Sequence, residues 1–356
     1  MAAAGARQIS KTALRRSARR IASISAICFF IGGFYTWVID FPSLANWHRG
    51  AISGVLMAAS ILSLQYYYVH TRHGAWLHRL PFSLAAPILG TAYLGLILLM
   101  LTIVAWVYEA GDRTIFPSMQ WFSRHVPPRD VGTALGLTFF TLTALTVNSL
   151  LGAGTLRNLV AGKYHTPQRE DRIALFLDMR GSTALAEKLG DTPFYELLRS
   201  FILDTTEELI EHGGTIDTFV GDGIIAHWPP ARAGNVLPAI LAVRSRLAAN
   251  AKDYEKRYGT QPRFRAAIHC GAVIVGEVGA EKRQIVAIGD FVNVTARIED
   301  EGRRRGLDLL ASDEFLNLIT LPEGWLAEKL GDVVVRGREQ PVRLSALSNT
   351  VDDDAD

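Results

Sequence analysis

Residues 172–189 read RIALFLDMRGSTALAEKL, in which an apolar run ends at an acid and a polar turn precedes a helical pattern. This order predicts a strand, a turn and a helix, with Ser182 or Thr183 as the helix N-cap. The N–H groups of a helix N-terminus favour anions, and Asp178 beside the turn is placed to ligate a phosphate-bound cation. Taken alone, the segment is better explained by an aspartate that stabilises a turn.

A second acid lies in residues 215–228, TIDTFVGDGIIAHW, which follow an amphipathic helix expected over 194–212. The two β-rich runs around Gly-Asp-Gly predict a hairpin with Asp222 at its tip. If this hairpin pairs beside the first strand, Asp178 and Asp222 converge, and adjacent carboxylates need divalent cations between them. The pair therefore predicts the protein's part of a two-metal phosphoryl-transfer site.

Residues 288–299, IGDFVNVTARIE, add an amide and a guanidinium. Asn293 and Arg297 are four residues apart, so on a helix they share one face and can reach a single ligand. Such a pair suits a ribose oxygen and a phosphate charge. Without further context, a solvated surface pair would be the ordinary explanation.

Length and composition limit the class of protein. The chain has 356 residues, of which 49% are hydrophobic and 20% charged, and its formal net charge is +2. These values suit a folded protein of two domains and exclude a disordered or collagen-like chain. The near-zero charge balance gives no sign of nucleic-acid binding, so no nucleic acid partner is expected. Cys28 and Cys270 lie far apart, which argues against a disulfide framework and a zinc site.

The first 156 residues have the pattern of a membrane domain. A basic cytoplasmic segment, residues 1–20, precedes four apolar runs long enough to cross a bilayer, at about 21–39, 51–70, 83–108 and 131–156. We expect a transmembrane domain of four helices over 21–156. Buried helices of a soluble domain and, for the first run, a signal or transit peptide are the alternatives.

Loop charges predict the orientation of this domain. The second loop carries Arg72 and Arg79 and no acid, which places both chain termini in the cytoplasm. The expected location is the cell (inner) membrane, multi-pass, with the lipid bilayer as a partner and the catalytic domain cytoplasmic. No run has Lys, Arg, Asp or Glu in its interior, so a transporter is not indicated, and an unidentified membrane ligand or regulator is a further candidate partner.

Four ordered segments carry a family resemblance: FLDMRGST from 176, TFVGDGIIAHW from 218, AIHCGAVIVGEVG from 267 and AIGDFVNVTARIE from 287. Together they resemble the catalytic domain of class III nucleotide cyclases, over about residues 170–347. The resemblance implies an α+β domain with a ferredoxin-like, mainly antiparallel sheet flanked by helices. The expected fold is thus an N-terminal four-helix α transmembrane domain and a C-terminal α+β catalytic domain at 171–347. A helical linker at 157–170 and an acidic tail at 348–356 complete the division.

The resemblance also assigns site residues. It implies that Asp178 and Asp222 hold two Mg²⁺ (or Mn²⁺) ions per active site, and that two chains form a homodimer with shared active sites. Asn293 and Arg297 match the transition-state pair that the other subunit contributes, and Arg336 stands where the family has a phosphate-binding lysine. The remaining candidates for substrate contact are Phe176, Met179, Arg180, Gly181, Ser182, Thr183, Thr218, Gly221 and Val286.

Base recognition departs from the family pattern. Relatives that make cyclic AMP have a lysine at the position of Thr218 and an Asp or Thr at that of Val286, and guanylate cyclases have Glu and Cys. Thr218 can hydrogen-bond a purine, whereas the Val286 side chain cannot. ATP is the expected substrate of a membrane adenylate cyclase that serves intracellular signalling. A guanylate or dual-specificity cyclase and a catalytically silent nucleotide-binding receptor stay open, whereas a diguanylate cyclase would need a Gly-Gly-Asp/Glu-Glu-Phe turn that the sequence lacks.

Overall fold

The computed structural model describes residues 11–39, 44–69, 80–108, 126, 128–151, 165–278, 284–334 and 341–349. The chain divides into two compact units, Met1–Thr146 and Val147–Asp356. This division agrees with a helical N-terminal half and a separate C-terminal domain.

The N-terminal half consists of long helices where the apolar runs predict them. They are α1 (Lys11–Ile39), α2 (Leu44–Ser63), α3 (Phe82–Tyr108) and α4 (Pro128–Leu151), and α2 continues as a π-helical segment over Leu64–Val69. Residues 152–156, at the end of the fourth predicted span, lie outside the described residues. The predicted helices therefore form, with α2 beginning earlier than expected.

The structure supports membrane spanning for fewer helices than the four that the sequence predicts. Among the described residues, two stretches are long and apolar enough to cross a bilayer, Ile21–Ile39 and Pro87–Val107. Helix α2 begins with a polar stretch that includes His48 and Arg49, and α4 contains several threonines, which lower its hydropathy. The structure thus supports a membrane-crossing composition for the first and third predicted spans, but it does not confirm four spans.

Helices α1 and α2 cross at closely packed glycines. A Cβ atom on Gly50 would overlap the backbone of Gly32, and one on Gly54 would overlap that of Cys28. Small residues four apart allow the backbones of two helices to approach closely, a packing mode common in membranes. This contact explains why α1 and α2 form a pair.

The C-terminal domain is built on one mixed sheet of eight strands among the described residues, ordered β2-β3-β1-β4-β6-β8-β7, with β5 paired to β4. Strands β4 and β6 are parallel, and the other pairs are antiparallel. The strands are β1 (Gln168–Met179), β2 (Thr215–Val220), β3 (Gly223–Trp228), β4 (Phe264–Val278), β5 (Gln284–Ile288), β6 (Leu309–Ser312), β7 (Trp325–Val333) and β8 (Val342–Asn349).

Helices cover both faces of this sheet. They are α5 (Ser182–Leu189), α6 (Asp191–Glu211), α7 (Val236–Ala249), α8 (Ala251–Tyr258), α9 (Asp290–Arg305) and α10 (Asp313–Leu316). Leu175 and Leu177 of β1 join the core formed with α6 and α7, whereas Ala174 packs with α9. Because side chains alternate along a strand, Asp178 lies on the α9 face. The expected α+β sheet flanked by helices is therefore present.

Several local details differ from the sequence-based expectations. The N-cap of α5 is Gly181, without a side-chain cap hydrogen bond, in place of Ser182 or Thr183. Strand β1 begins at Gln168, inside the linker expected at 157–170, and β8 reaches Asn349, inside the tail expected at 348–356. Strand pairing extends both ends, since Gln168 pairs with β4 and Asn349 with β7. Residues 157–164 and 350–356 lie outside the described part of the chain.

Candidate active site

The two acids of the strand–hairpin pattern meet at one end of β1 and β3. Leu177 of β1 pairs with Ile224 of β3, which sets Asp178 beside the two-residue turn that carries Asp222. The two carboxyl groups are close enough to share a hydrogen bond when one of them is protonated. The predicted convergence of Asp178 and Asp222 is therefore what the structure shows.

Burial and neighbouring negative charge make Asp178 costly to ionise. Asp178 is 8% exposed. Burial, the nearby Asp222 and Glu299 carboxylates and the hydrogen bond to Asp222 raise the pKa of Asp178 to about 7, and Arg303 opposes the rise. Two carboxylates held in this way at neutral pH need added positive charge.

The donor set fits a divalent cation. Oδ2 of Asp222 is buried and has no hydrogen-bond partner among the described residues, so it is left with an unused acceptor site. Within the same residues, no group of three or more His, Cys, Asp or Glu side chains is arranged to hold a metal. Magnesium is commonly held by one or two carboxylates, with water and substrate phosphates completing its shell. The Asp178–Asp222 pair suits such an ion.

Helix α9 places the Arg303 guanidinium and the Glu299 carboxylate beside Asp178, and neither residue was predicted from the sequence. Nη2 of Arg303 donates to Oδ2 of Asp178 at 2.8 Å and to Oε2 of Glu299 at 3.2 Å. Glu299 is 2% exposed, and its Oε1 lies 3.9 Å from Nη1 of Arg265 on β4. The i,i+4 spacing of Glu299 and Arg303 was visible in the sequence. The acid that they approach depends on how α9 packs across the sheet.

Asn293 and Arg297 lie on α9 and share a face, as their spacing predicts. Among the described residues, neither forms a hydrogen bond or ion pair with Asp178. At about 100° per residue, their face is rotated by about 120° from that of Glu299 and Arg303, which contacts Asp178. Asn293 and Arg297 therefore lie on a different face of α9 from the residues that contact Asp178.

The strand end and turn after β1 hold most of the remaining candidates. The Phe176 ring covers Gly223, where a Cβ would lie 2.9 Å from Cζ of the ring. The Met179 side chain is part of the hydrophobic core and can offer a ligand only its backbone. Arg180 is exposed and bonds Asp308 at 3.3 Å.

The other candidates lie at the start of α5, in the hairpin and on β5. Gly181 has a φ of 70°, a backbone conformation that favours glycine. Ser182 is half-buried and Thr183 is exposed. On the hairpin, Thr218 is exposed and Gly221 has a φ of 61°. The remaining two are the half-buried Val286 of β5 and Arg336, which lies outside the described residues.

A sequence model of the family described as Adenylate and Guanylate cyclase catalytic domain matches residues 166–346, just over half of the chain. The chain belongs to this family. The expected class III cyclase domain is confirmed, and its matched boundaries agree with the sheet between β1 and β8.

Individual relatives of the chain are consistent with the family match. Adenylate cyclase 2 of Rhizobium meliloti is 36% identical over 209 residues, which cover 58% of this chain and 57% of that protein. An uncharacterized protein of Mycobacterium tuberculosis is 29% identical over 272 residues, 69% of this chain and 49% of that protein. The chain thus spans about half the length of these curated relatives. The second similarity is longer than the stretch from residue 166 to the C-terminus, so it extends into the N-terminal half.

Among solved structures, a bacterial light-regulated adenylyl cyclase superposes on this chain with a TM-score of 0.53 at 20% identity. The superposition covers 61% of this chain and 64% of the other. At this level of identity the likeness shows a shared fold.

Proposed function

We propose that the protein is a membrane-bound adenylate cyclase that converts ATP to 3′,5′-cyclic AMP and pyrophosphate for intracellular signalling. The observation that carries the proposal is the proximity of the buried Asp178 to Asp222 at the end of a cyclase-family sheet, where Oδ2 of Asp222 is buried and has no hydrogen-bond partner among the described residues. Such a pair can hold the cations of a nucleotide triphosphate, and no covalent intermediate is required.

In this proposal Asp178 and Asp222 hold two Mg²⁺ (or Mn²⁺) ions. The bound cations would activate the ribose 3′-hydroxyl for attack on the α-phosphate and neutralise the leaving pyrophosphate. Asp178 and Asp222 would hold these cations at the end of β1 and in the hairpin turn, beside the turn that follows β1. The turn after β1 offers the exposed backbone of Gly181 and the N-terminus of α5 to phosphate oxygens.

We propose that the active site is shared by two chains of a homodimer. Asn293 and Arg297 lie on a different face of α9 from the residues that contact Asp178, so in this proposal a second chain supplies the amide and guanidinium to the site. There they would orient the ribose and stabilise charge on the phosphoryl oxygens, with Arg336 as an additional phosphate ligand. Large apolar side chains on the hairpin and around β5 are 51% to 62% exposed, as expected for a surface that a partner covers: Phe219, Val220, Val278 and Ile288.

ATP is the proposed substrate because the 36%-identical relative is named an adenylate cyclase. Thr218 is exposed on β2 and can hydrogen-bond a purine edge, whereas Val286 on β5 cannot do so through its side chain. Weak base discrimination is the expected result. A guanylate or dual-specificity cyclase is therefore the alternative activity.

We propose that the N-terminal helices anchor the enzyme in the inner membrane as four spans, with both termini cytoplasmic. The apolar stretches Ile21–Ile39 and Pro87–Val107 support this anchoring, and the loop charges support the orientation. A membrane-soluble regulator is a further proposed partner. A cavity of about 330 Å³ between these helices, lined mainly by apolar side chains, supports such a partner.

The test is a nucleotide assay on the purified full chain that compares ATP with GTP and Mg²⁺ with Mn²⁺ and identifies the product by mass spectrometry. Asp222→Ala should abolish cyclisation and leave the dimer folded, whereas Asp332→Ala, at an exposed acid of β7, should retain it. Wild-type turnover by Asp222→Ala would contradict the metal assignment. A folded wild-type chain that binds Mn²⁺–ATP but forms no cyclic product would favour a silent receptor.

Sharing of the site between subunits has its own test. Asp178→Ala and Asn293→Ala chains should each be inactive alone, and mixed heterodimers should regain partial activity because one of their two sites is intact. Purification through two different affinity tags confirms the heterodimer. An inactive heterodimer of confirmed composition would argue against shared sites.

A further inference from the structure

Arg303 contacts the proposed metal-binding carboxylates from within the same chain. Its Nη2 atom bridges Oδ2 of Asp178 (2.8 Å) and Oε2 of Glu299 (3.2 Å). The Arg303 side chain is 52% exposed, whereas those of Asp178 and Glu299 are 11% and 1% exposed. A half-exposed cation therefore bridges two buried acids.

A divalent cation on Asp178 and a guanidinium on the same carboxylate would repel each other at short range. Because Arg303 is half-exposed, it can leave Asp178 without opening the core. Glu299 lies one turn earlier on α9, and this i,i+4 pair can persist after the contact with Asp178 breaks. The geometry thus offers Arg303 a second position.

We propose that Arg303 is a positioning residue that occupies Asp178 in the cation-free chain and withdraws to Glu299 when a divalent cation binds. The inference rests on the proposed function of Asp178 and Asp222 as metal ligands. It means that Arg303 weakens cation binding in the absence of nucleotide. A cation delivered with a triphosphate, which adds its own phosphate ligands, overcomes this competition.

The experiment measures Mn²⁺ binding to the nucleotide-free, full-length chain by electron paramagnetic resonance, so its readout is independent of turnover. Arg303→Gln should bind Mn²⁺ about two- to fivefold more tightly than the wild type, the range expected for removing a half-exposed ion-pair partner. Arg304→Gln is the matched control, since Arg304 lies on the same turn, is 65% exposed and pairs with Glu301. Its Mn²⁺ affinity should be unchanged.

A second variant covers loss of folding, because Arg303→Gln leaves Glu299 buried without its i,i+4 partner. The double variant Glu299→Gln/Arg303→Gln keeps the net charge of the chain and allows an amide–amide hydrogen bond in place of the ion pair. It should bind Mn²⁺ at least about twofold more tightly than wild type. Adding Asp178→Asn to Arg303→Gln should abolish the gain, which a change in overall charge would not do.

Equal or weaker Mn²⁺ binding by Arg303→Gln and by the double variant would overturn the inference. So would an equal gain in Arg304→Gln, or no binding by any of these proteins at millimolar Mn²⁺. The proposed catalytic function fails in a different way, through the absence of cyclic product. A chain with the expected Mn²⁺ shifts and no product would retain the role of Arg303 and lose the cyclase proposal.

Discussion

Replacing Asp178 by asparagine should stabilise the metal-free protein, and more so at alkaline pH. The pKa of Asp178 is raised from 3.8 to about 7, so between these pH values the folded chain holds a proton that the unfolded chain has lost. Stability contributed by this group is therefore complete below about pH 4 and is lost as the pH rises towards 7. At ~1.4 kcal/mol per pH unit, the raised pKa of Asp178 lowers the free energy of unfolding, relative to its value below about pH 4, by ~4 kcal/mol at pH 8 and by ~2 kcal/mol at pH 5.5.

Asparagine mimics the protonated carboxyl group and can donate a hydrogen bond to Asp222. We expect Asp178→Asn to gain ~4 kcal/mol at most at pH 8, which is roughly 10 °C in Tm for a domain of this size. The assay is thermal unfolding of the full chain in EDTA at pH 5.5 and 8, followed by tryptophan fluorescence, since Trp228 and Trp325 are buried in the sheet domain. Added Mn²⁺ should stabilise the wild type and have little effect on the variant.

Asp332→Asn is the control for this measurement, because Asp332 is 60% exposed and pairs with Arg343 at the surface. Its Tm should change little at either pH, since an exposed ion pair contributes less than ~1 kcal/mol. The reasoning is refuted if Asp178→Asn is no more stable than the wild type at pH 8 in EDTA. It is also refuted if the difference in Tm does not grow between pH 5.5 and 8.

Two further predictions concern the framework of the site. Gly223→Ala places a Cβ 2.9 Å from the Phe176 ring, so the hairpin must shift, and we expect a loss of ~1–3 kcal/mol in chemical denaturation together with lower turnover. Unchanged stability and turnover would mean that the hairpin tolerates the added methyl group. Arg246→Ala removes a cation 3.4 Å from Asp204, which is 1% exposed, and should cost ~3 kcal/mol at pH 8; a Tm equal to that of the wild type would show that the hydrogen bonds from Asn250 and Tyr254 are enough to stabilise the buried Asp204 carboxylate.

Much of the catalytic domain could be predicted because its signals are local. An apolar run and a Gly-Asp-Gly turn specify a strand and a hairpin through neighbours in the chain, and both formed, with β1 beginning at Gln168, earlier than expected. Helix α9 likewise follows from residues 290–305, so Asn293 and Arg297 share a face as predicted. The predicted N-cap of α5 was wrong. Gly181, with its positive φ, occupies this position, and no side-chain hydrogen bond caps the helix.

In the N-terminal half, the sequence predicts the helices but does not determine how many of them cross a membrane. Apolar runs predicted its helices correctly, because a helix satisfies its own backbone hydrogen bonds wherever side chains allow it. Composition alone does not determine how many of these helices cross a membrane, because α2 and α4 mix apolar residues with Arg49, Asp130 and threonines. The close approach of α1 and α2 depends on Gly50 meeting Gly32, a contact set by how two consecutive helices pack and not by the composition of either one.

By itself, the sequence determined the strand, hairpin and helix that carry the acids and the Asn–Arg pair, since these depend on residues within a few positions of one another. Only the tertiary structure decided that Arg303 contacts Asp178 and that Glu299 lies buried beside them. The physical reason is that the packing of α9 across the sheet sets these charge contacts, and packing sums many long-range apolar contacts that no short motif records.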